Sequence, residues 1–150
     1  MNEWLWHLDD GSLEIFPEDQ IKDYYGFVYI ITNLETNKFY IGKKACTHNK
    51  KKKLTKKEIA EHTGAGRKPT TRVDKVDSGW KNYYGSSKEL LADVKLLGED
   101  KFQRVILKFA KNKKQLTFFE LEEQIIYNVL FNDNSYNDNI AGKYFRKDFV

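Results

Sequence analysis

The sequence predicts an α/β fold of the α+β kind, a small three-stranded antiparallel sheet flanked by helices. Two apolar runs, Gly26-Phe27-Val28-Tyr29-Ile30-Ile31-Thr32-Asn33 and Lys38-Phe39-Tyr40-Ile41-Gly42-Lys43, are joined by a polar turn at 34–37, which is the pattern of a β-hairpin. Residues 102–110 are rich in strand formers and alternate, with Phe102, Arg104, Ile106 and Lys108 against Val105, Leu107 and Phe109, so they add a third strand. Two helical patterns, one on each side of this strand in sequence, supply the cover that a half-apolar sheet needs.

In chain order, residues 1–25 read as an N-terminal extension whose Trp4, Trp6, Leu8, Leu13, Ile15 and Phe16 pack on the main body at 26–150. After the hairpin, residues 43–79 lose apolar periodicity, and Gly64-Ala65-Gly66 with Pro69 breaks any continuous helix. This segment reads as a long basic loop with a helical turn around 54–61. Ser86-Ser87-Lys88-Glu89 has capping-box spacing with Ser86 as the cap, ahead of Leu90, Leu91, Val94 and Leu97, and Gly98 stands where the helix stops. The last helix is expected over 115–131, and Thr117-Phe118-Phe119-Glu120 within it also has capping-box spacing.

At 150 residues the chain suits one domain with a real core, and 40% hydrophobic with 15% aromatic residues excludes a disordered polymer. Cys46 is the only cysteine, which excludes an intrachain disulfide and a cysteine-based zinc site and points to a reducing, cytoplasmic setting. The acidic, tryptophan-bearing start does not suit a signal peptide, and no run approaches membrane-spanning length. Net charge is only +4, but it is segregated: Glu3, Asp9, Asp10, Glu14, Glu18, Asp19 and Asp23 face Lys22 alone, whereas 43–75 is dominated by lysine and arginine. That cluster is the footprint of a phosphate-backbone binder, its bland alternative being a solvated loop. Gly64-Ala65-Gly66-Arg67-Lys68 follows no strand pattern and lacks the Lys-Ser/Thr ending, so no nucleotide cofactor is expected.

Several motifs in one order carry a resemblance. Phe27-Val28-Tyr29 and Tyr40-Ile41-Gly42 sit on the two hairpin strands, Gly79-Trp80-Lys81-Asn82-Tyr83-Tyr84-Gly85-Ser86-Ser87 leads into a helix, and Phe119-Glu120, Gln124, Val129-Leu130 and Tyr136-Asn137 follow. The chain resembles the GIY-YIG nucleases, in particular their small phage-type or mobile-element-type members. The resemblance implies a metal-dependent endonuclease that nicks or cuts DNA with Mg²⁺ or Mn²⁺. It implies that Tyr29 acts as general base or relays to it, that Tyr40 positions water, and that Asn137 supports the site from a loop. An arginine should contact the scissile phosphate, with Arg72 the first choice and Arg67 the second. The family's early arginine has no counterpart, because Gly42 is followed by Lys43-Lys44-Ala45-Cys46. A tyrosine with its ordinary pKa of about 10 needs a nearby cation to work as a base, and Lys43, Lys44 and Arg72 are the candidates.

A helical glutamate should hold the metal, and two compete. Glu120 has a structural explanation as a cap, whereas Glu122 has apolar helical neighbours, Phe118, Phe119, Ile125, Ile126 and Val129, that call for a functional reason. The resemblance favours Glu120, because in the small phage-type members the glutamate stands four residues before the glutamine, here Gln124. DNA contacts are expected from Lys43, Lys44, His48, Lys50, Lys51, Lys52, Lys53, Arg67, Trp80 and Lys81. A second reading is a non-catalytic nucleic-acid-binding module in which Trp80, Tyr83 and Tyr84 stack on bases. A third is a protein-binding module that docks through the N-terminal extension.

Overall fold

The computed structural model describes residues 2–64 and 66–150; Met1 of the extension and Ala65 of the Gly64-Ala65-Gly66 run lie outside the described residues. The chain opens with β1 (Trp4–His7) and β2 (Leu13–Ile15), followed by a 3₁₀ turn at Glu18–Asp23, β3 (Gly26–Asn33) and β4 (Phe39–Ala45). β5 (Thr47–Lys53), α1 (Lys56–Ala60) and β6 (Thr71–Asp77) come next, then α2 (Lys88–Leu97), β7 (Phe102–Ala110) and α3 (Lys113–Ile126). The short strands β8 (Asn139–Ile140) and β9 (Tyr144–Phe145) close the chain with a 3₁₀ turn at Arg146–Phe149.

β7, β3 and β4 form the expected antiparallel core, but the sheet has five strands in the order β2-β1-β7-β3-β4, not three. The extra strands come from the N-terminal extension, β1 lying parallel to β7 with Leu5 opposite Val105. Without β1 the outer side of β7 would be a long unpaired edge, which sheets avoid. Trp4 anchors the addition: it is buried, its indole N–H donates to the Trp80 carbonyl at 2.8 Å, and its ring meets Phe27 edge-on at 5.0 Å.

β3 lies between β7 and β4 and reads as a continuous apolar run because both its faces are covered. Phe27, Tyr29 and Ile31 pack with Trp4, Trp80, Leu90 and Phe102 on one side. Val28 packs with Ile41, Leu116, Val129 and Leu130 on the other, beneath α3.

The expected basic loop at 43–79 is mostly strand. β4 runs on through Ala45, and β5 and β6 pair antiparallel over seven residue pairs, from Thr47 opposite Asp77 to Lys53 opposite Thr71. Every β5 residue is exposed, so no face of this ribbon demands hydrophobic alternation and period-2 patterning cannot reveal it. The helical turn expected at 54–61 is present as α1, closed by a Thr55–Glu58 capping box.

α3 starts and ends earlier than 115–131, with Asn112 as its cap accepting from the Gln115 amide at 2.9 Å. Thr117 and Glu120 are therefore inside the helix, and Glu120 caps nothing. In α2 the cap is Ser87, one residue later than the capping-box spacing suggests, and Gly98 ends the helix as expected. Among the described residues no helix is long and apolar enough to cross a membrane.

Candidate active site

The register of β3 and β4 sets Tyr29 directly opposite Gly42. The missing side chain at Gly42 is what admits the phenol: a Cβ there would stand 2.5 Å from the Tyr29 hydroxyl oxygen and 2.8 Å from the Tyr40 ring. Tyr29 is only 1% exposed, with its ring 6.2 Å from Tyr40 and 5.9 Å from Tyr83. Burial drives its pKa well above the ordinary tyrosine value, and the neighbouring Tyr40 and Tyr83 hydroxyls push the same way. Tyr40 is less buried, and its hydroxyl lies 2.9 Å from Ser86 Oγ. Its pKa is also raised, chiefly by desolvation, with the Ser86 hydrogen bond opposing.

Both phenols thus hold their protons at neutral pH, and the cations expected to draw them off are engaged elsewhere. Lys44 lies 4.2 Å above the Tyr83 ring, Lys43 donates to Thr117 Oγ1 at 3.1 Å, and Arg72 pairs with Glu58 at 2.8 Å and Asp74 at 3.3 Å on the ribbon.

Glu120 projects from α3 toward β4, with its side chain 19% exposed and one carboxylate oxygen 3.9 Å from Lys43 Nζ. Burial raises its pKa, and Lys43, through ammonium and backbone amide, draws it partly back. One turn further along α3, Gln124 donates to the Ile41 carbonyl at 3.2 Å. Asn137 grips the same residue from the opposite loop, accepting from the Ile41 amide at 2.9 Å and donating to its carbonyl at 2.8 Å. The outer edge of β4 is thereby satisfied as a strand would satisfy it, with Ile41 held fixed between Tyr40 and Gly42. The Asn137 loop is tied down by Arg146, whose guanidinium donates to the Asn137 carbonyl at 2.8 Å and the Val129 carbonyl at 2.9 Å.

Tyr40, Ser86, Lys88, Glu120, Asn137 and Asp138 line one cleft of about 700 Å³. Tyr29 underlies it and Lys43 flanks it. The structure therefore brings together Tyr29, Tyr40, Lys43, Glu120 and Asn137. It does not bring Arg72 or Arg67 there: Arg72 is held in the ribbon's ion pairs, Arg67 is exposed beyond the ribbon strands, and among the described residues no arginine lines the cleft.

Glu122, 35% exposed, faces away from the cleft in an ion pair with Lys108, so the apolar surroundings inferred from helical spacing are absent. Trp80, only 2% exposed, and Tyr84 are core residues, not stacking platforms, and Lys81 pairs with Glu18 at 2.6 Å. His48 and Lys50 to Lys53 lie exposed along β5.

Sequence reasoning did not single out Ser86, Lys88 or Arg146 for the site. The first two carried a signal, since a second serine before the cap and a lysine at the first helical position front a cleft once Ser87 caps α2. For Arg146 no local pattern pointed to Asn137.

Among the described residues no group of three His, Cys, Asp or Glu side chains is placed to share a metal ion. A single desolvated carboxylate at a cleft suits Mg²⁺ or Mn²⁺, which retain most of their waters, and does not suit a closed zinc or calcium cage.

The family model described as "Putative endonuclease segE, GIY-YIG domain" matches residues 6–146. The chain belongs to the GIY-YIG family. With the family comes nuclease chemistry, and in this GIY-YIG member the glycine of the second tripeptide is the one that seats Tyr29. The match also begins inside β1, so the family's domain takes in most of the segment that reads in sequence as an extension. No curated protein and no solved structure matches the chain.

Proposed function

We propose that this GIY-YIG domain is a divalent-metal-dependent endonuclease that hydrolyses DNA phosphodiester bonds at the cleft between β4, α2 and α3. The observation that carries this reading is the placement of Glu120 and Tyr40 on one cleft, joined through the doubly clamped Ile41. Glu120 is the residue that would hold Mg²⁺ or Mn²⁺, and such an ion supplies stabilisation for charge developing on the phosphoryl oxygens.

Tyr40 keeps its proton and orients the attacking water or a phosphate oxygen by hydrogen bonding, with Ser86 fixing the direction of its hydroxyl. Of the two roles that the resemblance implies for Tyr29, burial favours the relay: Tyr29 supports Tyr40 from below and has no open path to solvent. Lys88 on the cleft wall and Lys43 at its edge take the place of the family's arginine in attracting the scissile phosphate. Asn137, Gln124 and Arg146 are positioning residues that hold the β4 backbone.

The binding-module reading loses two of its three stacking platforms with the burial of Trp80 and Tyr84, while Tyr83 is half-buried beneath Lys44, and the docking-arm reading loses Trp4 to the core. A plasmid-nicking assay with and without Mg²⁺ tests the proposal. Cleavage should require the ion and fail in Glu120→Gln, and metal-independent cleavage or a fully active Glu120→Gln would overturn it.

A further inference from the structure

The β5–β6 ribbon is two-faced; every β5 residue is exposed, but the two faces differ in what β6 sets beside them. Residues opposite each other in an antiparallel pair share a face, and neighbours along a strand alternate. His48, Lys50 and Lys52 therefore lie with Val76, Asp74 and Arg72, and Thr47, Asn49, Lys51 and Lys53 lie with Asp77, Lys75, Val73 and Thr71. The first set is braced. Arg72 is clamped between Glu58 of α1 and its own neighbour Asp74, while Asp74 and Val76 are partly covered.

The second set is exposed at every position of both strands. Its one carboxylate, Asp77, is turned to the root of the ribbon, where it accepts from the Gly79 amide at 2.7 Å. Lys51, Lys53 and Lys75 are left facing solvent beside Asn49, Thr71 and a bare Val73 that is 57% exposed.

We infer that this open face is a duplex-DNA reader that lies in the major groove beside the bond to be cut. A seven-residue ribbon is about 20 Å long and two strands wide, and the B-form major groove, about 12 Å across, admits a two-stranded ribbon. The side chains match the groove's chemistry, with lysines for phosphates or guanine edges, asparagine for adenine, and threonine and valine methyl groups for thymine. The valine at the centre of this basic face is an exposed large hydrophobic residue.

The ribbon is also coupled to the cleft. β4, which carries Tyr40 and Gly42, passes through Cys46 directly into β5. The root is pinned by the Cys46 amide on the Tyr25 carbonyl at 2.9 Å, and by Ser78, whose hydroxyl donates to the Ala45 carbonyl at 2.5 Å. The inference rests on the cleft being a DNA endonuclease site and assigns the element that selects its substrate.

The test is binding by the full chain in EDTA, where no cleavage occurs, to a short mixed-sequence DNA duplex, its separate strands and an RNA duplex of the same sequence. The open-face variant Lys51→Ala/Lys53→Ala/Lys75→Ala should lose DNA-duplex affinity at least tenfold. Its log-affinity against log-salt slope should also flatten by about 2 to 3. The braced-face variant Lys50→Ala/Lys52→Ala should lose less than threefold. Methylation of guanine N7, a major-groove atom, should interfere with binding, and the RNA duplex, whose major groove is narrow and deep, should bind more weakly.

Equal losses from the two faces, no interference by N7 methylation, or single strands bound as tightly as the duplex would overturn the inference, as would failure of the unaltered chain to bind duplex at all. Mg²⁺-dependent plasmid cleavage by the unaltered chain is read separately, so a cleaving enzyme with an idle ribbon and a binding ribbon on a chain that does not cleave are distinguishable.

Discussion

The cleft and the ribbon both grow from β4, yet they are built on opposite principles. In the cleft half, β4 is clamped on one side by β3 and on the other by Asn137 and Gln124, with a tyrosine filling the space of a missing side chain. In the ribbon half each strand has only the other, its side chains are in solvent, and its charges are only partly paired. Chemistry needs atoms held to fractions of an ångström, and burial with paired hydrogen bonds provides that at the cost of desolvating a carboxylate. Attraction of a polyanion needs unpaired charge in water, which a bare ribbon supplies.

Glu120→Gln should open the widest gap between the two regions. Cleavage should fall by roughly 10²-fold or more while DNA binding in EDTA is unchanged. The same variant should melt at an equal or higher temperature, because the folded-state pKa of Glu120 is raised. A raised carboxyl pKa means that the folded state binds the proton more tightly, so stability falls as pH rises from the unfolded value through the folded one, and a neutral amide removes that cost. A lower melting temperature for Glu120→Gln, measured at neutral pH, would break this account of the site.

Gly42→Ala tests the packing of the clamped half. The new Cβ meets the Tyr29 hydroxyl and the Tyr40 ring, both held in place, so unfolding free energy should drop by about 1–3 kcal/mol, as overpacking does. An unchanged denaturant midpoint would show that the tyrosines yield freely. Tyr40→Phe is smaller: the fold should be kept, the Ser86 hydrogen bond lost and kcat reduced roughly tenfold, the effect of one orienting hydrogen bond worth about 1.4 kcal/mol in the transition state. Wild-type kcat would remove the hydroxyl from the mechanism.

The ribbon should answer least to structural change. Arg72→Ala breaks two exposed ion pairs, each worth about 0–1 kcal/mol, so thermal melting should barely move. Cleavage at saturating enzyme should persist, and a large loss of kcat would restore Arg72 to the active site.

The contrast also explains what could be read from the chain. Tyr29, Tyr40 and Gly42 were legible because a buried hairpin writes itself into runs of adjacent apolar residues, and β7 was legible for the same reason. The ribbon buries nothing and so left only its charge. Glu120 and Glu122 could not be separated by spacing, since a two-residue step on a helix turns one side chain inward and the next toward Lys108, and the helix start that sets their direction is fixed by Asn112.

The sequence by itself determined the tyrosine hairpin, the third core strand, the two long helices and the segregation of charge, all of which rest on interactions among near neighbours. Only the tertiary structure decided that the N-terminus completes the sheet, that Arg72 stays outside the cleft, and that Asn137 and Arg146 lock β4. These depend on contacts such as Trp4 with Trp80 and Ile41 with Asn137, between residues far apart in the chain, whose pairing is set by burial and by the need to satisfy backbone groups, and not by any local pattern.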